Sequence, residues 1–175
     1  MDKISVIVPC YNEQEAIPIF YSEITKTAKK LSQAELEVIF INDGSKDSSL
    51  AEMKKLAKAD SRIKYLSFSR NFGKEAAMYA GLTYADGDYV AIMDVDLQDP
   101  PSLLPEMYRI ITEETYDCVA TRRVTRKGEP PIRSFFARRF YAMMHRLSKT
   151  EIVDGARDYR LMTRQFVQEL LRLGE

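Results

Sequence analysis

The chain has 175 residues, and its 26 lysines and arginines are balanced by 26 aspartates and glutamates. This length fits a single domain, and the zero formal net charge argues against general nucleic-acid binding, which needs a basic surplus. One histidine, His145, excludes any site built from several histidines, and no apolar run reaches the roughly 18 residues of a membrane span. The chain opens directly into a strand pattern, so we expect a cytosolic protein without a signal peptide.

Short apolar runs rich in β-branched residues alternate with helical patterns along the chain. Strands are predicted over residues 4–9, 36–41, 63–68, 89–93 and 117–121. Helices are predicted over residues 15–31, 47–59, 71–84, 100–112, 133–147 and 163–173. This alternation predicts an α/β fold, with a mostly parallel sheet covered by helices on both faces. We expect a single domain over residues 1–175, and free thiols at Cys10 and Cys118.

Polar clusters follow the first, second and fourth predicted strands, at residues 10–13 (CYNE), 42–45 (NDGS) and 94–99 (DVDLQD). In parallel sheets, ligands bind beyond the carboxyl ends of the strands. We therefore expect these three clusters to meet at one edge of the sheet and to form the binding site there.

Asp94 and Asp96 carry the strongest chemical signal, because two carboxylates one residue apart at a strand end can reach the same hard cation. Mg²⁺ and Mn²⁺ favour such oxygen ligands and keep water or phosphate in their remaining positions. Gln98 is a candidate third ligand through its amide oxygen. The cation would stabilise a departing diphosphate. An ordinary acidic turn is the alternative interpretation.

Other polar residues of these clusters each admit a structural and a functional interpretation. Asp43 is either a turn former in an Asp-Gly-Ser cluster or an acceptor for a nucleobase N–H. Glu13 either favours the dipole at a helix N-terminus or accepts from a ribose hydroxyl. Arg70 and Lys74 are either surface charges or contacts to the nucleotide.

Five motifs stand in the same order as in a known enzyme family, at residues 9–13 (PCYNE), 42–45 (NDGS), 71–74 (NFGK), 94–101 (DVDLQDPP) and 155–161 (GARDYRL). Together they resemble family 2 glycosyltransferases, and more closely the polyprenyl-phosphate branch with dolichyl-phosphate mannose synthase and bacterial undecaprenyl-phosphate glucosyltransferases. The resemblance implies an A-type glycosyltransferase fold, which is Rossmann-like, and a nucleotide-sugar donor with Mg²⁺ or Mn²⁺. It also implies inverting transfer of a hexose to a polyprenyl phosphate at the cytosolic face of a membrane.

The resemblance assigns a role to each matching position. It implies nucleotide contacts at Pro9, Tyr11, Glu13, Asp43, Lys74, Asp94 and Val95. It implies metal and diphosphate binding by Asp94, Asp96 and Gln98, and acceptor-phosphate binding by Arg122, Arg133 and Arg160. Asp158 falls where the family has an acidic residue near the sugar and the acceptor, so Asp158 and Asp96 are the catalytic candidates. Residues 1–99 would form the donor half and residues 100–175 the acceptor half.

Residues 122–149 carry nine basic side chains and one acidic side chain, whereas the rest of the chain has 17 basic and 25 acidic residues. Such a segment is either a solvated face or a patch for anions. Arginine forks match phosphate oxygens, so the resemblance favours contact with the acceptor phosphate and an anionic membrane surface. The predicted helix over residues 133–147 mixes aromatics with arginines, which fits a helix lying on a membrane or one packed on the sheet.

The sugar and the nucleotide stay open, with UDP preferred over GDP because the sequence lies closer to the bacterial glucosyltransferases. Two other functions also stay open, namely transfer to a saccharide hydroxyl and a non-catalytic nucleotide-sugar-binding module. The motif at residues 94–101 and the arginine-rich segment favour the phosphate acceptor. Relatives of this branch usually continue into transmembrane helices, so we expect a truncated catalytic domain or a form that relies on a separate membrane partner.

Overall fold

The computed structural model of the protein describes residues 1–122 and 156–173. The chain divides into two compact units, one formed by Met1–Val119 with Asp158–Glu175 and the other by Ala120–Arg157. Of the second unit, only residues 120–122 and 156–157 are described. The predicted helix over residues 133–147 and the candidate Arg133 lie outside the described residues.

The described residues contain one sheet that is mostly parallel, as predicted. Its strands are β1 (Asp2–Cys10), β2 (Ala34–Asn42), β3 (Ile63–Ser67), β4 (Tyr89–Ile92), β5 (Cys118–Arg122) and β6 (Ala156–Thr163). They stand in the order β3-β2-β1-β4-β6-β5. Parallel pairing joins β1 to both β2 and β4, and it joins β2 to β3. By contrast, β6 runs antiparallel to β4.

Helices cover both faces of the sheet, which also agrees with the prediction. They are α1 (Ala16–Ala28), α2 (Ser49–Ala59), α3 (Lys74–Tyr84), α4 (Leu104–Glu113) and α5 (Arg164–Arg172). A single 3-10 turn at Pro101–Leu103 leads into α4. Among the helices of the described residues, none has the length and hydropathy needed to cross a membrane.

The strand sequences are apolar because both faces of the sheet are buried. Side chains alternate between the two faces, so that Val6 packs in the core beneath α1, α2 and α4, whereas Ile7 packs in the core beneath α3 and α5. Gly81 of α3 lies directly against Ile7, where an added Cβ would come within 2.3 Å of the isoleucine side chain. This close contact lets α3 pack against the sheet. Because α3 connects the parallel strands β3 and β4, it runs back along the sheet, and its N-terminus lies near the carboxyl ends of the strands.

The sequence predicts no strand over β6, and the structure corrects this. Three charged residues of β6, Arg157, Asp158 and Arg160, interrupt the apolar pattern by which a buried strand is recognised. Tyr159 and Leu161 are nevertheless buried in the core. Because β6 is antiparallel to β4, its beginning lies at the edge of the sheet where the parallel strands end. Asp158 is thereby brought to that edge.

Both cysteines are free thiols, as expected. Cys10 is buried at the end of β1, and its Sγ contacts the carbonyl oxygen of Val8. Burial, followed by the nearby carboxylates of Glu13, Asp47 and Asp94, raises the pKa of the Cys10 thiol well above its usual range. Since the thiolate is the reactive form of cysteine, Cys10 is a packing residue rather than a nucleophile.

Candidate active site

A pocket of about 380 Å³ lies at the edge of the sheet where β1, β2 and β4 end. Among the residues that line it are all seven predicted nucleotide contacts: Pro9, Tyr11, Glu13, Asp43, Lys74, Asp94 and Val95. Asp96 lines the pocket as well. The three polar clusters thus meet at one edge of the sheet, and the role of each residue stays a prediction.

The loops that follow β1 and β2 hold each other through reciprocal hydrogen bonds. The Asn12 N–H donates to Ser45 Oγ at 3.0 Å, and the Lys46 N–H donates to Asn12 Oδ1 at 2.8 Å. The Glu13 N–H donates to Ser49 Oγ at 2.7 Å. Asn12 has a φ of 56°, a left-handed conformation that asparagine tolerates better than most residues. These bonds fix the loop after β1 beside the pocket.

Asp43 is buried and organises the segment before α3. Its Oδ1 accepts the Phe72 N–H at 2.7 Å, and its Oδ2 accepts the Gly73 N–H at 3.0 Å. Gly73 has a φ of 99°, which residues with a side chain rarely adopt. The sequence predicts that this helix begins at Asn71. Because residues 71–73 wrap around the carboxylate of Asp43, α3 begins instead at Lys74. Each oxygen of Asp43 keeps a further lone pair that is able to accept another hydrogen bond. The predicted contact of Asp43 with a nucleobase N–H therefore remains possible and stays a prediction.

Lys74 joins the carboxylate of Asp94, just after β4, to the carboxylate of Asp158, within β6. Its Nζ lies 2.6 Å from Asp94 Oδ1 and 2.7 Å from Asp158 Oδ2. Burial opposes the charge of this ammonium, but hydrogen bonds to Asp158 and Asp94 outweigh burial and raise the pKa of Lys74. Lys74 is therefore charged at neutral pH. Sequence reasoning missed its contact with Asp158, because the two residues are 84 positions apart and no local pattern links them.

Gln98 folds back onto Asp96 in the acidic loop after β4. The Gln98 N–H donates to Asp96 Oδ1 at 3.1 Å, and Gln98 Nε2 donates to Asp96 Oδ2 at 2.8 Å. Leu97, between them, has a left-handed φ of 59° that allows this reversal. Gln98 is not among the described residues that line the pocket, and its assignment as a metal ligand stays a prediction.

A second pocket, of about 350 Å³, is lined by residues of α3, β6 and α5. Its walls are mostly apolar and include Met78, Tyr79 and Leu170. Asp158 and Arg160 line the same pocket, so Arg160, one of the predicted acceptor-phosphate residues, lies near the catalytic candidate. The other predicted residues are placed differently: Arg122 is exposed at the end of β5, in the other unit, and Arg133 is outside the described residues.

A comparison with protein families decides the identity of the chain. Residues 5–171 match the profile of Glycosyl transferase family 2. The chain belongs to this family. The resemblance to family 2 inferred from the five motifs is thereby confirmed over almost the whole chain.

Two curated relatives are similar to this family 2 chain along nearly all of its length. The bactoprenol glucosyl transferase of Shigella phage SfV is 40% identical over 173 residues, which is 99% of this chain and 56% of that protein. CsbB of Bacillus subtilis (strain 168), which bears a glycosyltransferase name, is 42% identical over 172 residues, which is 98% of this chain and 51% of that protein. The chain therefore spans about half the length of the curated relatives it matches.

A solved structure shares the fold of this family 2 chain. It is a mannosyltransferase from Pyrobaculum calidifontis in complex with GDP-Man and Mn²⁺, with a TM-score of 0.66 and 22% identity. The match covers 97% of this chain and 46% of that chain. At this identity the likeness concerns the fold alone, and it confirms the predicted A-type glycosyltransferase fold.

The side chains of Asp94 and Asp96 fit a hard divalent cation. Mg²⁺ is usually held by one or two carboxylates together with substrate phosphates and water, and both aspartates line the pocket. Within residues 1–122 and 156–173, there is no group of three or more His, Cys, Asp or Glu side chains that could hold a metal ion. Binding of a cation by Asp94 and Asp96 therefore stays a prediction.

Glu13 carries an unfavourable charge in the folded protein. Burial, followed by repulsion from Asp96, Asp47 and Asp94, raises the pKa of its carboxyl group. Ionisation of Glu13 therefore weakens the fold as the pH rises through that raised pKa, whereas below the usual glutamate pKa of about 4.3 the penalty is absent. Glu13→Gln removes this charge, so we expect it to raise the free energy of unfolding at pH 7. The gain is at most about 1 kcal/mol, because water screens a partly exposed group. Urea unfolding between pH 4 and pH 7 checks this: the gain should vanish near pH 4, and an equally stable variant at pH 7 would disprove it.

Proposed function

We propose that this family 2 glycosyltransferase moves a hexose, with inversion, from a nucleotide sugar to a polyprenyl phosphate. The observation that carries the proposal is the pocket beyond β1, β2 and β4, which gathers Asp94 and Asp96 with the residues predicted to hold the nucleotide. The names of relatives support the choice of acceptor, since proteins 39–40% identical over 99% of the chain are called bactoprenol glucosyl transferases or their homologue.

The donor occupies this pocket, with its nucleoside beside Tyr11, Glu13 and Asp43 and its diphosphate towards Asp94 and Asp96. Tyr11 is 42% exposed, so its ring is available to contact the base or the ribose, with its hydroxyl still in water. UDP is the preferred nucleotide, by likeness to the bacterial glucosyltransferases, and GDP-mannose is the alternative donor.

Asp94 and Asp96 hold the divalent cation, Mg²⁺ or Mn²⁺, which when bound supplies positive charge to stabilise the departing diphosphate. Gln98 is the proposed third ligand through its amide oxygen, and its backbone and side-chain N–H groups also hold both oxygens of the Asp96 carboxylate. Such supporting hydrogen bonds orient a metal ligand before the metal arrives. While no cation is bound, Lys74 supplies the positive charge next to Asp94.

The acceptor needs little activation by the protein. The second pKa of a phosphate monoester is about 6, so the group is mostly ionised near neutral pH. Asp158 therefore orients the acceptor, or removes a residual proton, while the phosphate oxygen approaches the anomeric carbon in line with the leaving diphosphate. Arg160, in the same pocket as Asp158, is assigned to the acceptor phosphate together with Arg122 and Arg133.

We place this reaction at a membrane, because a polyprenyl phosphate is a membrane lipid, and at its cytosolic face by resemblance to the polyprenyl-phosphate branch of the family. The basic segment over residues 122–149 would meet the anionic leaflet. In this proposal the enzyme is membrane-associated, residues 1–99 form its donor half and residues 100–175 form its acceptor half.

Asp158→Asn is expected to slow transfer by about tenfold to a hundredfold, and to change nucleotide affinity by less than about threefold. Asparagine keeps the size of the side chain and a hydrogen-bond acceptor for Lys74. It cannot take a proton, and it lacks the negative charge with which Asp158 is proposed to orient the acceptor. Turnover with a nucleotide sugar and a short polyprenyl phosphate measures the first effect, and calorimetry measures the second. Near-normal turnover would remove Asp158 from the catalytic residues.

Two experiments test the proposed function. A panel of UDP- and GDP-sugars is first screened by thermal shift with and without Mn²⁺, since a ligand that binds only the native state raises Tm. We expect a UDP-sugar to raise Tm in the presence of Mn²⁺ and not in its absence.

Product analysis then offers a short polyprenyl phosphate and a saccharide in parallel. Transfer to the lipid supports the proposal, transfer to the saccharide alone supports the other acceptor, and binding without transfer or hydrolysis indicates a non-catalytic module.

A further inference from the structure

The ammonium of Lys74 stands between the donor pocket and the catalytic candidate Asp158. Its Nζ is within 2.7 Å of an oxygen of Asp94 on one side and of Asp158 on the other. We propose that Lys74 is a positioning residue. Its ammonium occupies the cation position at Asp94 while no cation is bound, and it couples binding of the cation to the orientation of Asp158. This inference rests on the proposed function, and it goes beyond the nucleotide contact predicted for Lys74.

The sheet itself brings the two carboxylates together. β4 and β6 are antiparallel, with Ala91 opposite Leu161 and Ile92 opposite Arg160. Extension of this register by two positions sets Asp94 opposite Asp158, just beyond the end of the paired segment. Like charges directly opposite each other on neighbouring strands are destabilising. A positive charge between them reduces this repulsion when the site holds no metal, and Lys74 provides that charge.

The backbone of Lys74 is fixed, whereas its side chain is able to move. Lys74 is the first residue of α3, and the preceding Gly73 is held by its hydrogen bond to Asp43. The Lys74 side chain is 38% exposed, and those of Asp94 and Asp158 are 32% and 47% exposed. A lysine that keeps its charged end near water can exchange one anionic partner for another without losing its hydration.

Lys74 competes with a divalent cation for the carboxylate of Asp94. Two positive charges at one carboxylate repel each other, so the ammonium leaves Asp94 when the cation binds there. Lys74 then keeps Asp158 alone or turns to the diphosphate of the donor. In both cases Asp158 no longer shares its counter-ion with Asp94. Occupancy of the donor site is thereby linked to the orientation of the residue that faces the acceptor.

The test is the affinity of the chain for Mn²⁺ alone, measured by calorimetry in the absence of nucleotide. Lys74→Met removes the competing ammonium but keeps the length of the side chain, so we expect Mn²⁺ to bind about tenfold more tightly. Lys74→Gln serves as a second variant in case the methionine disturbs folding. Lys46→Met is the matched control, because it removes one charge from the exposed loop after β2, and we expect a change of less than about twofold. Unchanged or weaker Mn²⁺ binding by both Lys74 variants, or an equal gain in the Lys46 variant, overturns the inference.

A separate titration distinguishes failure of this inference from failure of the proposed function. The wild-type chain is titrated with UDP and with GDP in the presence of Mn²⁺. Nucleotide uptake together with unchanged Mn²⁺ affinity in the Lys74 variants overturns the inference and leaves the proposed function standing. Absence of nucleotide uptake overturns the proposed function, whereas tighter Mn²⁺ binding by Lys74→Met still supports competition at Asp94.

Discussion

Replacement of Asp94 and Asp96 together by asparagine is expected to abolish Mn²⁺-dependent nucleotide binding and to slow transfer by about a thousandfold or more. Both side chains line the pocket proposed for the donor, and asparagine keeps their size while it removes the negative charges that a hard cation needs. Without those charges, the transition state loses the stabilisation of its departing diphosphate, which is worth several kcal/mol. Calorimetry with UDP and product analysis with a polyprenyl phosphate measure the two effects.

Glu35→Gln is the control for the removal of a carboxylate. Glu35 is exposed near the start of β2, at the opposite end of that strand from the pocket, so we expect changes of less than about threefold in binding and turnover. The double variant should remain folded, because Asp94 and Asp96 are two of the charges that repel Glu13. Nucleotide binding that survives in the double variant at full strength would show that the cation is held elsewhere.

Asp43→Ala is expected to lower the free energy of unfolding by about 3 kcal/mol and to weaken nucleotide binding at the same time. The buried carboxylate accepts the N–H groups of Phe72 and Gly73, and a hydrogen bond to a charged group contributes roughly 1.5–3 kcal/mol. Alanine would leave both donors without this acceptor, and residues 71–73 would lose the conformation that starts α3 at Lys74. Chemical denaturation gives the stability, and calorimetry gives the nucleotide affinity.

Asp43→Asn separates the structural from the functional role of this residue. Asparagine offers one acceptor oxygen without a charge, so about half of the stability loss of the alanine variant is expected. If Asp43 also accepts a nucleobase N–H, the preference between UDP and GDP changes in the asparagine variant. An unaltered preference limits Asp43 to the structural role, and an alanine variant as stable as wild type would exclude that role too.

The meeting of the three polar clusters in one pocket was predictable because one rule for parallel sheets acts on the sequence directly. An apolar run such as residues 4–9 indicates a buried strand, and the polar residues after such a strand lie at the carboxyl edge of the sheet. Tyr11, Asp43 and Asp94 follow three such runs and line one pocket in the structure. The family motifs then supplied roles that the geometry alone does not give.

The contacts within the site were not predictable in this way, because they depend on long-range pairing. The bonds from Phe72 and Gly73 to Asp43 span 29 and 30 residues, and they determine where α3 begins. The approach of Asp158 to Lys74 depends on the antiparallel register of β4 and β6. Since β6 carries three charged residues, its sequence conceals both the strand and that register.

Anomalous diffraction from crystals grown with Mn²⁺ and UDP would locate the cation in the molecule. We expect one manganese peak bonded to carboxylate oxygens of Asp94 and Asp96 and to the diphosphate, with Lys74 Nζ moved away from Asp94. A manganese ion bound to other residues, or UDP bound in the pocket without any cation at Asp94 and Asp96, would contradict the proposed metal-dependent donor site.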